Sequence, residues 1–284
     1  MLSTLLMTAA FGLRIGITLA PQQTAVKRAP SPCCSTVAEL PEISFDSERW
    51  PPLKAVLDEL PCFTLVNGNA EPLGYERDGQ AICIFFVDIG RAEQELDGMR
   101  EKFPDLGLRL LSAGVGDAFE RSVKGKALLV PSAAGLERAG DDWNSEMLPL
   151  FTCLAMSKPS ADGSCQTVPF FMDPNDAQAN LDNAVKEARE SLSDQQLAAL
   201  QLVCTPLSRA VQIIVAGQEV DFCQKWGTSA ESFQFVPPGS SVNYLQAAVD
   251  ELERRTASAA PTASTPAPRF RGSGGAPPAG LFPE

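Results

Sequence analysis

Apolar residues along this chain alternate between a helical and a strand period, and the switches recur in a fixed order. Leu53, Val56, Leu57 and Leu60 share one helical face, after Pro51 and Pro52, which suit a first turn. Pro61 ends that helix. "CFTLV" (62–66) then reads as a strand, "NGN" (67–69) as a turn, and "AICIFFV" (81–87) as a second strand. That second strand is apolar on both faces, which predicts a central place in a sheet. Asp88 stands where it caps a helix carrying Ala92, Leu96, Met99 and Phe103 on one stripe. "LRLL" (108–111) predicts a third strand, "VGDAFE" (115–120) a short helix and "ALLV" (127–130) a fourth strand, with Pro131 and Ser132 opening a helix.

The same grammar then runs a second time. "PLF" (149–151) answers "PCF" (61–63), and "VPFFMD" (168–173) answers "ICIFFVD" (82–88). The helix after Asp173 carries Ala177, Leu181, Ala184, Val185 and Ala188, with Pro174 in its first turn. "LQLV" (200–203) matches "LRLL", "SRAVQ" (208–212) matches "GDAFE" (116–120), and "FQFVPPGSS" (233–241) matches "ALLVPSAAG" (127–135). A closing helix carries Val242, Leu245, Val249 and Leu252. The spacing between halves is about 90 residues, longer than solenoid repeats. It widens toward the end, as insertions in loops such as "ESLSDQQL" (190–197) and "GQEVDFCQKWGTS" (217–229) predict. One shared Phe-Phe-x-Asp is easily chance; an ordered series of landmarks is not. The expected fold is α/β (α+β): two duplicated β-α lobes related by a pseudo-twofold, with mixed sheet and helices packed on it. The first repeat, with its leading helix, spans 39–144 and the second 145–255.

Both ends fall outside this grammar. Residues 1–38 contain no Asp or Glu and carry Arg14, Lys27 and Arg28. "MLSTLLMTAA" has an apolar stretch too short to span a bilayer, then small residues, like a secretory leader with its cleavage site. The basic, hydroxylated stretch that follows has transit-peptide composition. Signal-like then transit-like, with Phe11 after the cut, resembles the bipartite leaders of algae with complex plastids. A plain plastid or a mitochondrial transit peptide is the alternative. Residues 256–284 are dominated by Ala, Pro, Gly, Ser and Thr and read as a disordered tail.

Composition narrows the chemistry. Hydrophobic content is 44% and charged content 20%, an ordinary globular balance. The net charge is -12, and no Lys/Arg cluster stands ready to neutralise phosphates, which argues against nucleic acid as a partner. Histidine is absent, so Ser-His and Cys-His dyads are excluded. Eight cysteines are scattered without a C-x-x-C pair or zinc spacing. Several sit in apolar runs and read as buried thiols, with a disulfide or redox role as the alternative.

The duplicated landmarks carry a resemblance. "PCFTLVNGNAEPL", "FFVDIGRAEQEL", "LRLLSAGVGDAFE" and "LVPSAAGLERA", each echoed in the second half, resemble the family of the 22-kDa subunit of the chloroplast inner-envelope protein-import translocon, over about 60–255. That resemblance implies a two-lobed α/β protein without catalytic residues, whose apolar surface grooves help precursors cross between envelope membranes. It implies precursor proteins and other translocon subunits as partners. It implies the plastid envelope intermembrane space as location, with the stroma as alternative. The insertion around Phe222–Trp226 and the Pro-rich tail depart from the pattern.

No catalytic, cofactor or metal motif is legible. "DPND" (173–176) lacks the rest of an EF-hand loop, and the glycines of "AGVGDAF" (113–119) lack a following P-loop Lys. Phe63, Phe86, Phe151 and Phe171 are candidate polypeptide contacts, with sheet core as the bland alternative, since adjacent strand residues point to opposite faces. Asp88 and Asp173 read as matching helix caps rather than a carboxylate pair. A thiol-based redox protein and an uncharacterised soluble plastid enzyme are the competing functions.

Overall fold

The computed structural model describes residues 43–258, apart from 78, 145, 161, 190–192, 194–196, 198, 199, 226, 227 and 229. The predicted leader, and the tail from 259 on, lie outside the described residues. Strands β1 (Pro61–Val66), β2 (Tyr75–Arg77), β3 (Gln80–Phe86), β4 (Arg109–Gly114) and β5 (Ala127–Val130) form one sheet. Strands β6 (Pro149–Thr152), β7 (Lys158–Pro159), β8 (Gln166–Phe171), β9 (Val203–Pro206) and β10 (Ser232–Val236) form the other.

The two sheets use one pairing scheme. β1 runs antiparallel to β3 and β4, β2 antiparallel to β3, and β5 parallel to β3. β6 runs antiparallel to β8 and β9, β7 antiparallel to β8, and β10 parallel to β8. The registers join the same landmarks. Phe63 opposes Phe86 as Phe151 opposes Phe171, and Pro61 opposes Gly114 as Pro149 opposes Pro206. Val130 stands beside Phe86 as Val236 stands beside Phe171.

The helices are α1 (Trp50–Asp58), α2 (Ile89–Lys102), α3 (Val115–Val123), α4 (Ala133–Ala139), α5 (Pro174–Ala188), α6 (Leu207–Val215), α7 (Glu219–Lys225) and α8 (Gly239–Ser258). Both sheets lie in one compact unit that ends at Ala247. In the unit from Ala248 on, Glu251 bridges Arg254 and Arg255, each at 2.7 Å.

Strand alternation divides the core. Cys62, Phe85, Val87 and Leu129 from the first sheet share one buried cluster with Leu150, Phe170, Met172 and Phe235 from the second. Helices α1, α3 and α6 close that cluster with Trp50, Leu57, Val115, Phe119, Leu207 and Val211. The opposite strand faces are covered separately. Ile89, Ala92 and Leu96 of α2 lie over Phe63, Leu65 and Phe86, with Leu245 of α8 packed beside them. Ala177 of α5 packs with Phe151 and Phe171, while its Leu181 and Ala184 pack with Cys153 and Met156.

Each half anchors a helix on the other. Asp88 caps α2 by accepting the Arg91 N–H at 2.9 Å, and it also accepts the hydroxyl of Ser240, at the start of α8, at 3.0 Å. Ser241, fully buried, donates to the Val87 carbonyl at 2.9 Å and accepts the Ile89 N–H at 3.2 Å. In return, Asp173 caps α5 through the Asn175 and Asp176 N–H groups and accepts the hydroxyl of Ser132, the cap of α4, at 3.3 Å. The Gly239 N–H donates to Asp176 at 2.7 Å. Four helix N-termini therefore gather with three carboxylates, whose charge suits the positive ends of the helix dipoles.

Several expectations shift. The strand expected at 200–203 starts at Val203, because Leu200 and Leu202 are spent packing beside Cys153 and Met156. Strands β2 and β7 were not predicted; "YER" and "KP" carry no apolar alternation. The second insertion, read as loop, contains α7, whose Cys223 is buried. Phe103 belongs to no stripe: α2 ends at Lys102 and Phe103 is exposed.

A close crossing fixes α1 against α3. The Asp58 carboxylate accepts the Asp117 N–H at 2.7 Å and pairs with Lys54 at 2.6 Å, so α1 caps α3. A Cβ on Gly116 would lie 2.7 Å from the Lys54 carbonyl and the Asp58 carboxylate. Gly116→Val is therefore expected to destabilise the chain by about 1–3 kcal/mol as an overpacked contact. Gly98, inside α2 with open space around its Cβ direction, is the counter-case: Gly98→Ala is expected to stabilise by about 0.5–1 kcal/mol. Ser241→Ala strands a buried N–H and a buried carbonyl and is expected to cost about 1–3 kcal/mol. Urea unfolding curves of the three variants check the signs and the order.

Candidate functional site

The gap between α1 and the second sheet makes an apolar groove of about 280 Å³. Pro52, Leu53 and Val56 of α1 form one wall, Ile214 of α6 stands at the side, and Phe233 and Phe235 of β10 also line it. Arg49 closes the rim, 3.5 Å from the Glu219 carboxylate and 3.4 Å from the Ile214 carbonyl. Val56 is 50% exposed, although its spacing assigns it to the apolar stripe of the leading helix. Its helix face turns toward this opening.

Phe233 is held by its aromatic neighbours. Its ring lies 4.8 Å from that of Phe170 and 5.5 Å from that of Phe222, edge-on to both. The sequence carries one signal for it: "FQF" (233–235) places two aromatics on one strand face where the matching "ALL" (127–129) has none. Ile214 carries no such signal, because it differs from its helical neighbours only in what α6 leaves uncovered.

A second cavity, of about 480 Å³, lies on the outer face of the first sheet. Glu93, Leu96, Asp97 and Arg100 of α2, Arg109 and Leu110 of β4, and Tyr244 of α8 line it. The Tyr244 ring meets that of Phe63 edge-on at 5.7 Å. The side chains lining this cavity are mostly polar, where those of the first groove are mostly apolar.

The four phenylalanines named from sequence sit beneath these surfaces. Phe63 is 1% exposed, Phe86 3%, Phe151 1% and Phe171 5%. The structure brings them together as two register pairs, one under α2 and one under α5, and leaves the pairs in separate clusters. Each helix covers the strand face to which its pair points, so these rings are core and none lines either groove. Asp88 and Asp173 occupy N-cap positions of α2 and α5.

The thiols of Cys62, Cys153 and Cys223 are buried. Burial pushes Cys62 well up, with Asp117 and Asp58 adding to the shift, and pushes Cys153 up as well. Cys223 rises to about 11, through burial first and the nearby Glu219 second. A thiol held protonated is a poor nucleophile, so these three do not suit exchange chemistry. Among the described residues no group of His, Cys, Asp or Glu is placed to hold a metal ion, and no helix is long and apolar enough to cross a membrane.

No family model matches the chain, and no curated protein matches its sequence. Solved structures do match its fold. Tic22 from Plasmodium falciparum superposes with a TM-score of 0.53 at 19% identity, over 70% of this chain and 98% of that one. Anabaena Tic22, described as a protein of protein transport, superposes with a TM-score of 0.51 at 17% identity, over 70% of this chain and 96% of that one. The chain has the Tic22 fold, a mixed α/β arrangement of two sheets and their helices.

The thiol shifts set an alkaline limit. Cys223 has a folded pKa above its ordinary 9.0, so its contribution is intact below pH 9 and is lost as pH rises toward 11. Stability is expected to stay level up to about pH 9 and then fall, more steeply in the natural chain than in Cys223→Ala. Denaturant midpoints measured across that range check it; equal slopes in both proteins would contradict it.

Proposed function

We propose that this chain is a plastid protein-import factor that holds precursor polypeptides as they cross the envelope intermembrane space, without catalysing a reaction. The observation that carries the reading is the Tic22 fold, matched over nearly the full length of both solved relatives. The acid-free leader supports a plastid address independently of the fold. Physical chemistry supports the holding role. Apolar surface is offered in a groove broken by an Arg49–Glu219 pair, which gives an unfolded chain something to bind while the surroundings stay wet.

In this reading the architecture arose by duplication of a β-α unit, with 39–144 and 145–255 as lobes related by a pseudo-twofold. Identical strand pairing and the exchanged helix anchors support it. Contact with the precursor falls to groove residues such as the exposed Val56 and the half-buried Phe233. Other translocon subunits are the partners that would keep the factor at the envelope as a peripheral protein.

The test places a photoreactive benzoylphenylalanine at Val56 in the full chain, in plastids importing a radiolabelled precursor stalled by ATP depletion. The expected result is a light-dependent adduct between the two, protected by the outer membranes but not the inner envelope. A chain that resides in the stroma or in mitochondria, and forms no adduct with the stalled precursor, contradicts the proposal.

A further inference from the structure

The first sheet ends in an open edge. β4 pairs with β1 and, among the described residues, with no other strand. Its orientation follows from two observations. The Val115 N–H donates to the Leu60 carbonyl at 2.9 Å, and Pro61, opposite Gly114, has no N–H to give. Antiparallel ladders alternate, so Arg109, Leu111 and Ala113 turn their backbone groups toward β1. Leu110 and Ser112 turn theirs away. Their N–H and C=O groups point along the open edge, where Ser112 is exposed and Leu111 is 43% exposed.

One end of this edge shows what a partner there must supply. The Leu108 carbonyl, next outward in the same row, accepts the Arg100 guanidinium at 3.1 and 2.9 Å. The protein itself fills that position with hydrogen-bond donors and, among the described residues, leaves the next two outward residues without a strand partner. The corresponding edge of the second sheet differs. There the Leu207 N–H donates to the Leu148 carbonyl at 2.8 Å, which turns Cys204 and Pro206 outward, and a proline has no N–H to offer. β4 therefore offers the longer outward row, Leu110, Ser112 and Gly114 against Cys204 and Pro206.

Building on the import reading above, we propose that β4 binds its polypeptide client by strand addition: an extended segment of an unfolded chain pairs with Leu110 and Ser112 and becomes the next strand of the first sheet. Backbone pairing recognises any extended sequence, which suits a protein that meets many clients. Alternate side chains of the added strand fall on the outer face, beside the cavity lined by Leu96, Leu110 and Tyr244. Glu93 and Asp97 line the same cavity with Arg100 and Arg109, two charges of each sign, and Arg100 is already engaged by Leu108 and lies 3.8 Å from Asp97. The preferred client strand therefore alternates apolar residues, so that one side packs beside Leu96 and Leu110.

The test uses the full chain and a fluorescent synthetic peptide, Lys-Val-Thr-Val-Thr-Val-Thr-Lys, read by anisotropy. Ser112→Pro removes an outward N–H and leaves the ladder to β1 intact, so the variant is expected to melt with the natural chain and to bind at least ten-fold more weakly. A peptide N-methylated throughout is expected not to bind the natural chain. Should Ser112→Pro fail to fold, the methylated peptide decides. Undiminished binding by either the variant or the methylated peptide overturns strand addition and leaves the import reading standing. No binding of the unmodified peptide by the natural chain, together with no precursor adduct at Val56, overturns both. A dimer in sedimentation that Ser112→Pro splits, with no peptide competition, assigns the edge to a second copy of this chain and also overturns the proposal.

Discussion

Adjacent phenylalanines in an extended strand point to opposite sides, and this chain places such a pair in the centre of each sheet. Burying one phenylalanine contributes about 1.5–3 kcal/mol, so neither face of either sheet is left open at these positions without a large loss. The rest of the architecture follows from covering all four faces. Phe85 and Phe170 join one cluster shared by both sheets, with α1, α3 and α6 filling around them. Phe86 and Phe171 turn outward and require a helix each, which α2 and α5 supply.

The covering helices must then be held in register with the strands they follow. Asp88 and Asp173 do this locally as caps, and the serines that open α8 and α4 do it across the molecule. A serine hydroxyl that donates to the Val87 carbonyl and accepts the Ile89 N–H satisfies backbone groups that the end of β3 and the start of α2 leave over. Because that serine belongs to the other half, the first half does not complete the start of α2 alone, while α5 is capped by its own Asp173. The chain is thus two copies of one pairing scheme, tied by a common core and by exchanged caps.

Much of this was legible in the sequence. The apolar strands β1, β3, β5, β6, β8 and β10, the capped helices and the Phe-Phe alternation follow from period and capping chemistry, which act locally. What was not legible depends on distant covering. Val56 has the spacing of a core residue and is half exposed, because among the described residues no later segment buries it. Leu200 and Leu202 look like strand and are drawn instead to the cluster beside Met156. The α7 helix hides in a polar insertion, where Cys223 is buried in the core and Phe222 packs against it. The grooves consist of such residues, whose fate local periodicity does not set. The strand alternation that identifies core also explains why Phe63, Phe86, Phe151 and Phe171 do not line a surface.

The two-sheet arrangement is shared with the solved Tic22 structures. The role proposed above, holding clients without reacting with them, needs a rigid frame and surfaces of limited apolar area, and a shared core supplies the first. The claim on which everything else stands is that the two sheets form one cooperative body. Native-state hydrogen exchange of the β3 and β8 amides tests it most directly. The same opening free energy is expected for Phe86 and Phe171, with the same response to low denaturant. A gap of more than about 2 kcal/mol between the two sheets, with one opening while the other stays protected, would contradict it.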